Sequence, residues 1–234
     1  MLEPLIYLVV WSAVARSTGG SVGGYDAGQF ASYFIVMMLV NHLTFTWIMY
    51  EFDYRVRHGS LSFSLLRPVH PIHSDLADNL SFKLLTLPVM LVTAVLLSLA
   101  FKSEFRLIPW AVFAFVPALA LAIALRFLVE WTLALAAFWI TRVSAVNQMY
   151  FVAALFLSGQ VAPLVLLPFP ARAAAAILPF RWMIGFPVEL LLGRLSPSAA
   201  LIGIGAQSLW LALSLVLLRI VWRAGVRAYT AVGA

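Results

Sequence analysis

The sequence contains no cysteine, and only 10% of its 234 residues are charged. Without cysteine, disulfides, thiolate metal sites and a cysteine nucleophile are excluded. Soluble domains are about 25% charged and about 45–50% apolar, whereas this chain is 64% hydrophobic and has a mean hydropathy of +1.01. Too few polar residues are present to cover a water-soluble fold. The sequence therefore predicts an integral membrane protein.

Common phosphate-binding and metal-binding motifs are also missing. The chain has no G-x-x-x-x-G-K-[ST], no dinucleotide fingerprint and no H-E-x-x-H, so we expect it to bind no nucleotide or other cofactor itself. His70 and His73 are flanked by Pro68 and Pro71, which interrupt the helix that would align two ligands. We expect no metal site and no catalytic residue. The net charge of +6 does not indicate nucleic acid, because the arginines are scattered at the ends of apolar runs, where they act as topology determinants.

Apolar runs of about 20 residues recur, while the alternating pattern of a membrane β-barrel is absent. The predicted fold is all-α, a polytopic membrane protein forming one transmembrane domain over residues 1–234. The six predicted spans are 2–15, 30–50, 82–101, 109–140, 149–167 and 199–221. The first is short for a hydrocarbon core of about 30 Å, and we expect it to continue a longer helix whose start is missing from this chain.

The orientation follows from the basic residues near the span ends. One side would carry eight of them: Arg55, Arg57, Arg67, Lys83, Arg142, Arg219, Arg223 and Arg227. The other would carry six: Arg16, Lys102, Arg106, Arg172, Arg181 and Arg194. The side with eight is predicted to be cytoplasmic, and both termini lie on it.

The loop 51–81 is the longest polar interval in the chain. Within it, Phe52, Val56, Phe63 and Leu66 recur at roughly helical spacing, with a break at Gly59 and a stop at Pro68. This pattern predicts a short amphipathic helix and a second apolar turn. Such a segment can lie on anionic lipid or pack into the groove of a partner protein, and periodicity alone does not separate the two.

A proline-rich stretch, 163–198, precedes the last span and contains six prolines. Neither of its halves is long enough to cross a bilayer and be followed by a polar turn. Two short re-entrant or interfacial helices, near 170–178 and 186–192, are predicted instead.

Polar residues inside the predicted spans are few. Arg126 and Glu130 stand at i,i+4 on one helical face and can pair. A charge within a membrane is costly enough to suggest a functional role, so a structural ion pair and a role in a pathway or gate both stay open. Asn41 and His42 likewise fit interhelical hydrogen bonds or a contact with substrate.

An ordered set of motifs resembles the membrane permease subunits of ABC transporters of the type 2 exporter class. The resemblance is to six-span bacterial permeases that pair with drug-resistance-type ATPases. The motifs are RHGSLSFSLLRP at 57–68, AFW at 137–139, SGQVAPL at 158–164, LPF at 178–180, Pro187, LG at 192–193, RAGVRAY at 223–229 and Gly233. The resemblance extends from about residue 25 to the end, and the family's N-terminal amphipathic helix and full first span are not matched.

The resemblance implies a division of roles. Segment 52–68 would be the coupling helix that docks a cytoplasmic ATPase, with contacts from Arg55, Arg57, Gly59, Leu61, Leu65, Leu66, Arg67 and Pro68. The re-entrant helices would depend on Gly159, Pro163, Pro179, Phe180, Pro187 and Gly193. Two permeases, identical or homologous, would enclose the route in the bacterial cytoplasmic membrane, in contact with its lipids. ATP and magnesium would bind the partner ATPase, so the chain itself would not be an enzyme.

Two other functional classes compete with this interpretation. A self-sufficient secondary transporter or channel would show an internal repeat or several intramembrane ionisable residues along a path, but we find no convincing repeat and one such pair. A membrane enzyme acting on lipid would need clustered acids and histidines, for which the interval from His70 to Asp78 is the candidate.

Overall fold

The protein is almost entirely helical. A computed structural model describes residues 3–140 and 143–229, so Leu2, Arg142 and Gly233, which entered the predictions above, lie outside the described residues. Its helices are α1 Glu3–Ser17, α2 Ala27–Thr44, α3 Ile48–Arg57, α4 Leu61–Leu65, α5 Pro71–Phe101, α6 Pro109–Ala134, α7 Val143–Leu157, α8 Phe169–Ile177, α9 Pro179–Met183, α10 Gly185–Leu191 and α11 Pro197–Ala228. Two 3-10 turns cover Leu135–Phe138 and Leu164–Leu166, and strands β1 Ser21–Val22 and β2 Tyr25–Asp26 pair as a small antiparallel hairpin.

Four helical stretches are long and apolar enough to cross a bilayer: 27–57, 71–101, 109–138 and 197–228. Two shorter apolar helices cover Leu5–Ser17 and Val143–Leu157. Only 11% of the most apolar window of α5 is buried within the protein, and an apolar surface of this extent is typical of contact with lipid or with another protein. The predicted class, an all-α polytopic membrane protein, is confirmed. The count of six crossings stays a prediction.

The helices differ in extent from several of the predicted spans; α2, for example, ends at Thr44 rather than at residue 50. α5 begins at Pro71 rather than near 82, because Pro71 occupies its first turn and the His70 ring caps it by accepting from the Ile72 N–H. α7 covers 143–157 rather than 149–167. It ends before Gly159, which has a φ of +88°, and Pro163 lies shortly beyond. Apolarity alone therefore predicted neither the start of α5 nor the bounds of α7.

α2 is the central helix of the bundle. Two-thirds of its most apolar window is buried, and it packs against α1, α5, α6 and α10. The chain then breaks at 45–47 before α3. Two contacts support this break: Asn79 donates from its side-chain amide to the Phe45 carbonyl at 3.2 Å, and the Thr46 hydroxyl accepts from the Ile48 N–H at 3.2 Å. α3 is thereby fixed to the end of α2 at a defined angle.

The proline-rich segment folds back on itself. Near its start, the Leu166 side chain lies against Gly23 in the hairpin. At its middle, the Ile177 carbonyl accepts from the Trp210 indole N–H in the centre of α11. At its end, Arg194 returns to the hairpin and donates to the Gly24 carbonyl. The segment therefore leaves one end of the bundle, reaches the middle of α11 and returns to the same end.

Gly203 permits the close approach of α10 to α11. A Cβ at this position would lie 2.0 Å from the Phe186 ring, whereas a Cβ at Gly205 would meet nothing within 4 Å. Gly203→Ala should lower the unfolding free energy by about 1–3 kcal/mol, the usual effect of overpacking. Gly205→Ala on the same helix is the control. Thermal unfolding in detergent measures both, and equal stability of the two variants would contradict this packing.

Candidate functional site

A buried ion pair lies in the interior of the bundle. The Arg126 Nε atom is 2.7 Å from Glu130 Oε1. Their side chains are only 4% and 0% exposed, so both charges are almost completely removed from bulk solvent. The spacing in the sequence predicted this pair, and α6 presents both groups on one face, one turn apart.

Neutral polar groups from two other helices and the α2–α3 break complete the hydrogen bonding of this pair. Arg126 Nη1 donates to Asn41 Oδ1 at 2.8 Å and to Thr44 Oγ1 at 2.9 Å. The Tyr150 hydroxyl donates to Glu130 Oε1 at 3.0 Å. We name the resulting group the buried ion-pair cluster; its members are Asn41, Thr44, Thr46, Arg126, Glu130 and Tyr150.

Thr46 connects the buried ion-pair cluster to the first turn of α3. Its hydroxyl donates to Glu130 Oε2 at 3.0 Å and accepts from the Ile48 N–H at 3.2 Å. The position of Glu130 is therefore linked to the start of α3 through one side chain.

A cavity of about 550 Å³ adjoins this cluster. Arg126 and Asn41 line it on one side, Tyr50 lines it near the end of the bundle, and α7 lines it through residues that include Gln148 and Phe151. Its wall thus combines aromatic and aliphatic surface with a few polar groups, as ligand pockets do. His42 lies elsewhere: its Nε2 atom is 2.8 Å from Thr86 Oγ1 on α5.

α3 and α4 form a short helical pair at one end of the bundle, which we name the α3–α4 unit. Gly59 turns the chain between them with a φ of +70°. Phe63 and Leu66 are 72% and 83% exposed, and Arg67 and Pro68 are exposed beside them. Such a protruding apolar surface is typical of an interaction site.

Other residues of the α3–α4 unit face inward. Leu61 is fully buried and Leu65 packs partly against the same core. Arg57, at the end of α3, is instead exposed, and its Nε atom is 2.8 Å from Asp53 Oδ1. Leu61 therefore fixes the unit to the bundle and has no surface free for a partner, whereas Leu65 is only partly buried. Their roles in coupling stay predictions.

Arg55 forms an ion pair that sequence reasoning missed. Its Nη2 atom lies 2.8 Å from Asp75 Oδ1, and the Trp131 indole donates to Asp75 Oδ2 at 2.8 Å. The Asp75 side chain is 3% exposed. This contact joins α3 to α5 and α6, so Arg55 attaches the α3–α4 unit to the bundle. No sequence signal marked Asp75, because its polar neighbourhood resembles an exposed loop.

The residues predicted to form the re-entrant helices occupy turns and helix starts. Gly159 has a φ of +88° and its carbonyl accepts from the Tyr33 hydroxyl at 2.9 Å, while Gly193 has a φ of +66°. Pro163 and Pro187 are buried, and Pro179 starts α9. Phe180 packs against Tyr150 with ring centroids 5.7 Å apart, so the segment contacts the buried ion-pair cluster.

The end of the proline-rich segment is attached to the hairpin. Arg194 Nη2 donates to Gln29 Oε1 at 2.7 Å, and its guanidinium lies 3.5 Å from the centroid of the Tyr25 ring. Burial raises the pKa of Tyr25 to about 12, although the positive charge of Arg194 lowers it. The Tyr25 hydroxyl is therefore neutral throughout the physiological range.

Within residues 3–140 and 143–229, no group of three or more histidine, aspartate and glutamate side chains is arranged to hold a metal ion. His70 and His73 lie near each other, with ring centroids 6.3 Å apart. The His70 side chain caps the N-terminus of α5 by accepting from the Ile72 N–H.

Comparison with family models identifies the class of protein. The model described as ABC-2 family transporter protein matches residues 1–233, nearly the whole chain. The chain belongs to the ABC-2 transporter family. Searches of curated proteins and of solved structures returned no match. ABC-2 family membership makes this chain the membrane component, or permease, of an ABC transporter.

The ABC-2 permease should depend on both partners of its buried ion pair. Glu130→Gln leaves Arg126 charged and unpaired, which should cost about 3–5 kcal/mol. The double variant Arg126→Gln with Glu130→Gln removes both charges and should be more stable than Glu130→Gln alone. Unfolding in detergent of the four proteins of this cycle gives the coupling energy. If the two single losses of unfolding free energy simply add in the double variant, Arg126 and Glu130 do not stabilise each other and the ion pair is contradicted.

Asp75 should contribute far more to the stability of the permease than Asp53. Asp75→Asn leaves Arg55 without its buried carboxylate and should cost about 3–5 kcal/mol. Asp53→Asn, the same change in the more exposed pair with Arg57, should cost less than about 1 kcal/mol. Thermal unfolding compares the two variants, and a similar loss in both would exclude Asp75 as the anchor of α3.

Proposed function

We propose that this ABC-2 family protein is the permease subunit of an ATP-driven exporter in the bacterial cytoplasmic membrane. The observation that carries the proposal is the α3–α4 unit: an exposed apolar surface at one end of the bundle that is joined to its interior by two polar links. One link runs from Thr46 to Glu130, and the other from Arg55 to Asp75. A docked motor protein could act on the interior through these links.

The docking partner is a cytoplasmic ABC ATPase, which binds ATP and magnesium. Phe63 and Leu66 provide the apolar contact, and Arg67 and Pro68 lie beside them. Apolar side chains that enter a partner's groove are the usual anchors of a helix docking site. Docking in this position makes the end with the α3–α4 unit cytoplasmic, together with both chain termini.

The substrate route passes beside the buried ion-pair cluster. Two permeases, as a homodimer or a heterodimer, enclose it in this proposal. The cavity of about 550 Å³ that Asn41 and Arg126 line is its portion within one subunit. The proline-rich segment caps the outer end, with α8 as its first re-entrant helix and α9 together with α10 as its second. Its contact between Phe180 and Tyr150 connects the cap to the cluster.

Movement of the α3–α4 unit changes the substrate route because two short polar contacts, Thr46 with Glu130 and Arg55 with Asp75, join the unit to the bundle interior. Closure of the ATPases on ATP displaces the unit, and packed helices transmit small displacements as rigid bodies. Glu130 bonds both Thr46 at the start of α3 and Tyr150 on α7. A shift of α3 therefore alters the position of α7 across the cavity.

Recovery of an ATPase with the purified permease tests the proposal. The chain should be isolated from its native membranes in mild detergent, as the unchanged protein and as Phe63→Asp with Leu66→Asp. Loss of two apolar anchors should reduce recovered ATPase activity at least about tenfold. Phe105→Asp, an exposed position in the loop at the opposite end of the bundle, is the control and should retain it.

The outcome separates the two transporter classes. An ATPase that accompanies the unchanged protein and the Phe105 variant, but not the double variant, supports docking at the α3–α4 unit. If no ATPase accompanies any of the three proteins, the proposal fails. A self-sufficient secondary transporter would then be favoured, since the buried ion pair beside a cavity is compatible with that class.

A further inference from the structure

A second cavity, separate from the proposed route, lies on the outer surface of the bundle. It has a volume of about 520 Å³ and is bounded by the start of α5 and the second halves of α6 and α11. We name it the α5–α11 groove. Its lining residues include His70, Leu76, Phe127, Leu215, Arg219 and Trp222. This volume is within the range of ligand pockets, about 300–1,000 Å³.

The two parts of the groove differ in chemistry. The part toward the bundle centre is aliphatic and aromatic, with Leu76, Leu215 and Phe127 in its wall. Leu76 and Leu215 are 36% and 38% exposed, on helices that carry many other exposed apolar side chains. An occupant of this part must therefore be apolar and able to enter from the membrane.

The other part of the groove carries positive charge and hydrogen-bond donors. Arg219 is exposed, and no carboxylate in the described ranges 3–140 and 143–229 forms an ion pair with it. Trp222 lies one turn further along α11, as aromatic residues do at a membrane interface. The N-terminus of the 31-residue helix α5 adds its partial positive charge at the same place.

His70 supplies a neutral donor at this end. Its Nδ1 atom accepts from the Ile72 N–H, so the ring proton is on Nε2 in the neutral form. Burial, assisted by the neighbouring His73, lowers the pKa of His70, although Asp75 raises it. The fixed charge at the mouth of the groove is therefore that of Arg219.

We propose that the α5–α11 groove binds one anionic phospholipid of the leaflet next to the α3–α4 unit. The headgroup phosphate contacts Arg219, and one acyl chain lies along Leu76 and Leu215. A phospholipid fits because its negative headgroup is joined to long apolar chains, just as the basic end of the groove adjoins its apolar part. Basic pockets between membrane helices bind anionic headgroups in this way.

A second copy of the chain fits the groove less well. A symmetric contact places each surface against itself. Arg219 and the exposed Arg223 on the following turn would then face the same residues of the other copy. Like charges in a lipid-facing interface are unfavourable. Anionic lipid removes that repulsion, whereas a zwitterionic headgroup brings a second cation to the site.

Lipid binding to the purified protein tests the proposal. Dioleoyl-phosphatidylglycerol is added to the delipidated permease in detergent, and binding is read as retained lipid by native mass spectrometry and as a rise in Tm. Dioleoyl-phosphatidylcholine and inorganic phosphate are the comparison ligands. The anionic lipid should bind more tightly than the zwitterionic one, and phosphate alone should give no shift.

Two pairs of variants locate the site. Arg219→Gln should weaken phosphatidylglycerol binding about fivefold, the effect of one basic group near an anionic surface, whereas Arg223→Gln should preserve it. Leu215→Trp should block the apolar part without a change of charge. Val216→Trp, also exposed on α11 but outside the groove, should not block it.

Three results would overturn the proposal. An equal loss of phosphatidylglycerol binding in Arg219→Gln and Arg223→Gln would indicate attraction to diffuse surface charge rather than a site. Equal binding of the two lipids would exclude recognition of the headgroup. Cross-linking of two copies through position 215, with no retained lipid, would assign the groove to a subunit interface.

Discussion

The buried pair of Arg126 and Glu130 is the interaction on which the interior of this permease depends. Two charges with almost no exposure are stable only when their geometry is good and their remaining hydrogen-bonding capacity is used. Glu130 accepts from Arg126, Thr46 and Tyr150, and Arg126 also donates to Asn41 and Thr44. This requirement fixes α2, α6 and α7 relative to one another and determines where α3 begins.

Two further sets of polar contacts lie toward the two ends of the bundle. At one end, Asp75 forms an ion pair with Arg55 and accepts a hydrogen bond from the Trp131 indole. At the other, Arg194 joins the end of the proline-rich segment to the hairpin. Trp131 and Glu130 are adjacent on α6, so one helix carries contacts to both the α3–α4 unit and the cavity wall. That arrangement suits a protein in which motion at one end changes a route through the middle.

Much of this architecture could be predicted from local sequence patterns. Composition and apolar runs identified an all-α membrane protein, since lipid requires backbone hydrogen bonds to be satisfied within helices. Periodicity indicated short helices near 52–68, and the i,i+4 spacing predicted the pairing of Arg126 with Glu130. Each of these inferences depends on residues close together in the chain, where spacing determines geometry.

Contacts between distant residues could not be predicted in the same way. Thr46 and Glu130 are 84 positions apart, and Trp131 and Asp75 are 56 apart. Threonine, tyrosine and tryptophan can find many partners in a membrane protein, so their types alone do not select one. Asp75 stands in a stretch whose composition predicts exposure. Its burial depends on how α3, α5 and α6 pack, which local patterns do not encode.

The central claim is that Glu130 transmits motion of the α3–α4 unit to the cavity wall. Because the chain lacks cysteine, spin labels can be introduced at Trp47→Cys and Val152→Cys, two exposed positions in the cavity lining, one between α2 and α3 and the other on α7. The distance between them should be measured in the complex with its ATPase, with and without ATP. The account predicts a change with ATP that Glu130→Gln abolishes. No change in the unaltered complex, or the same change with Glu130→Gln, would contradict it.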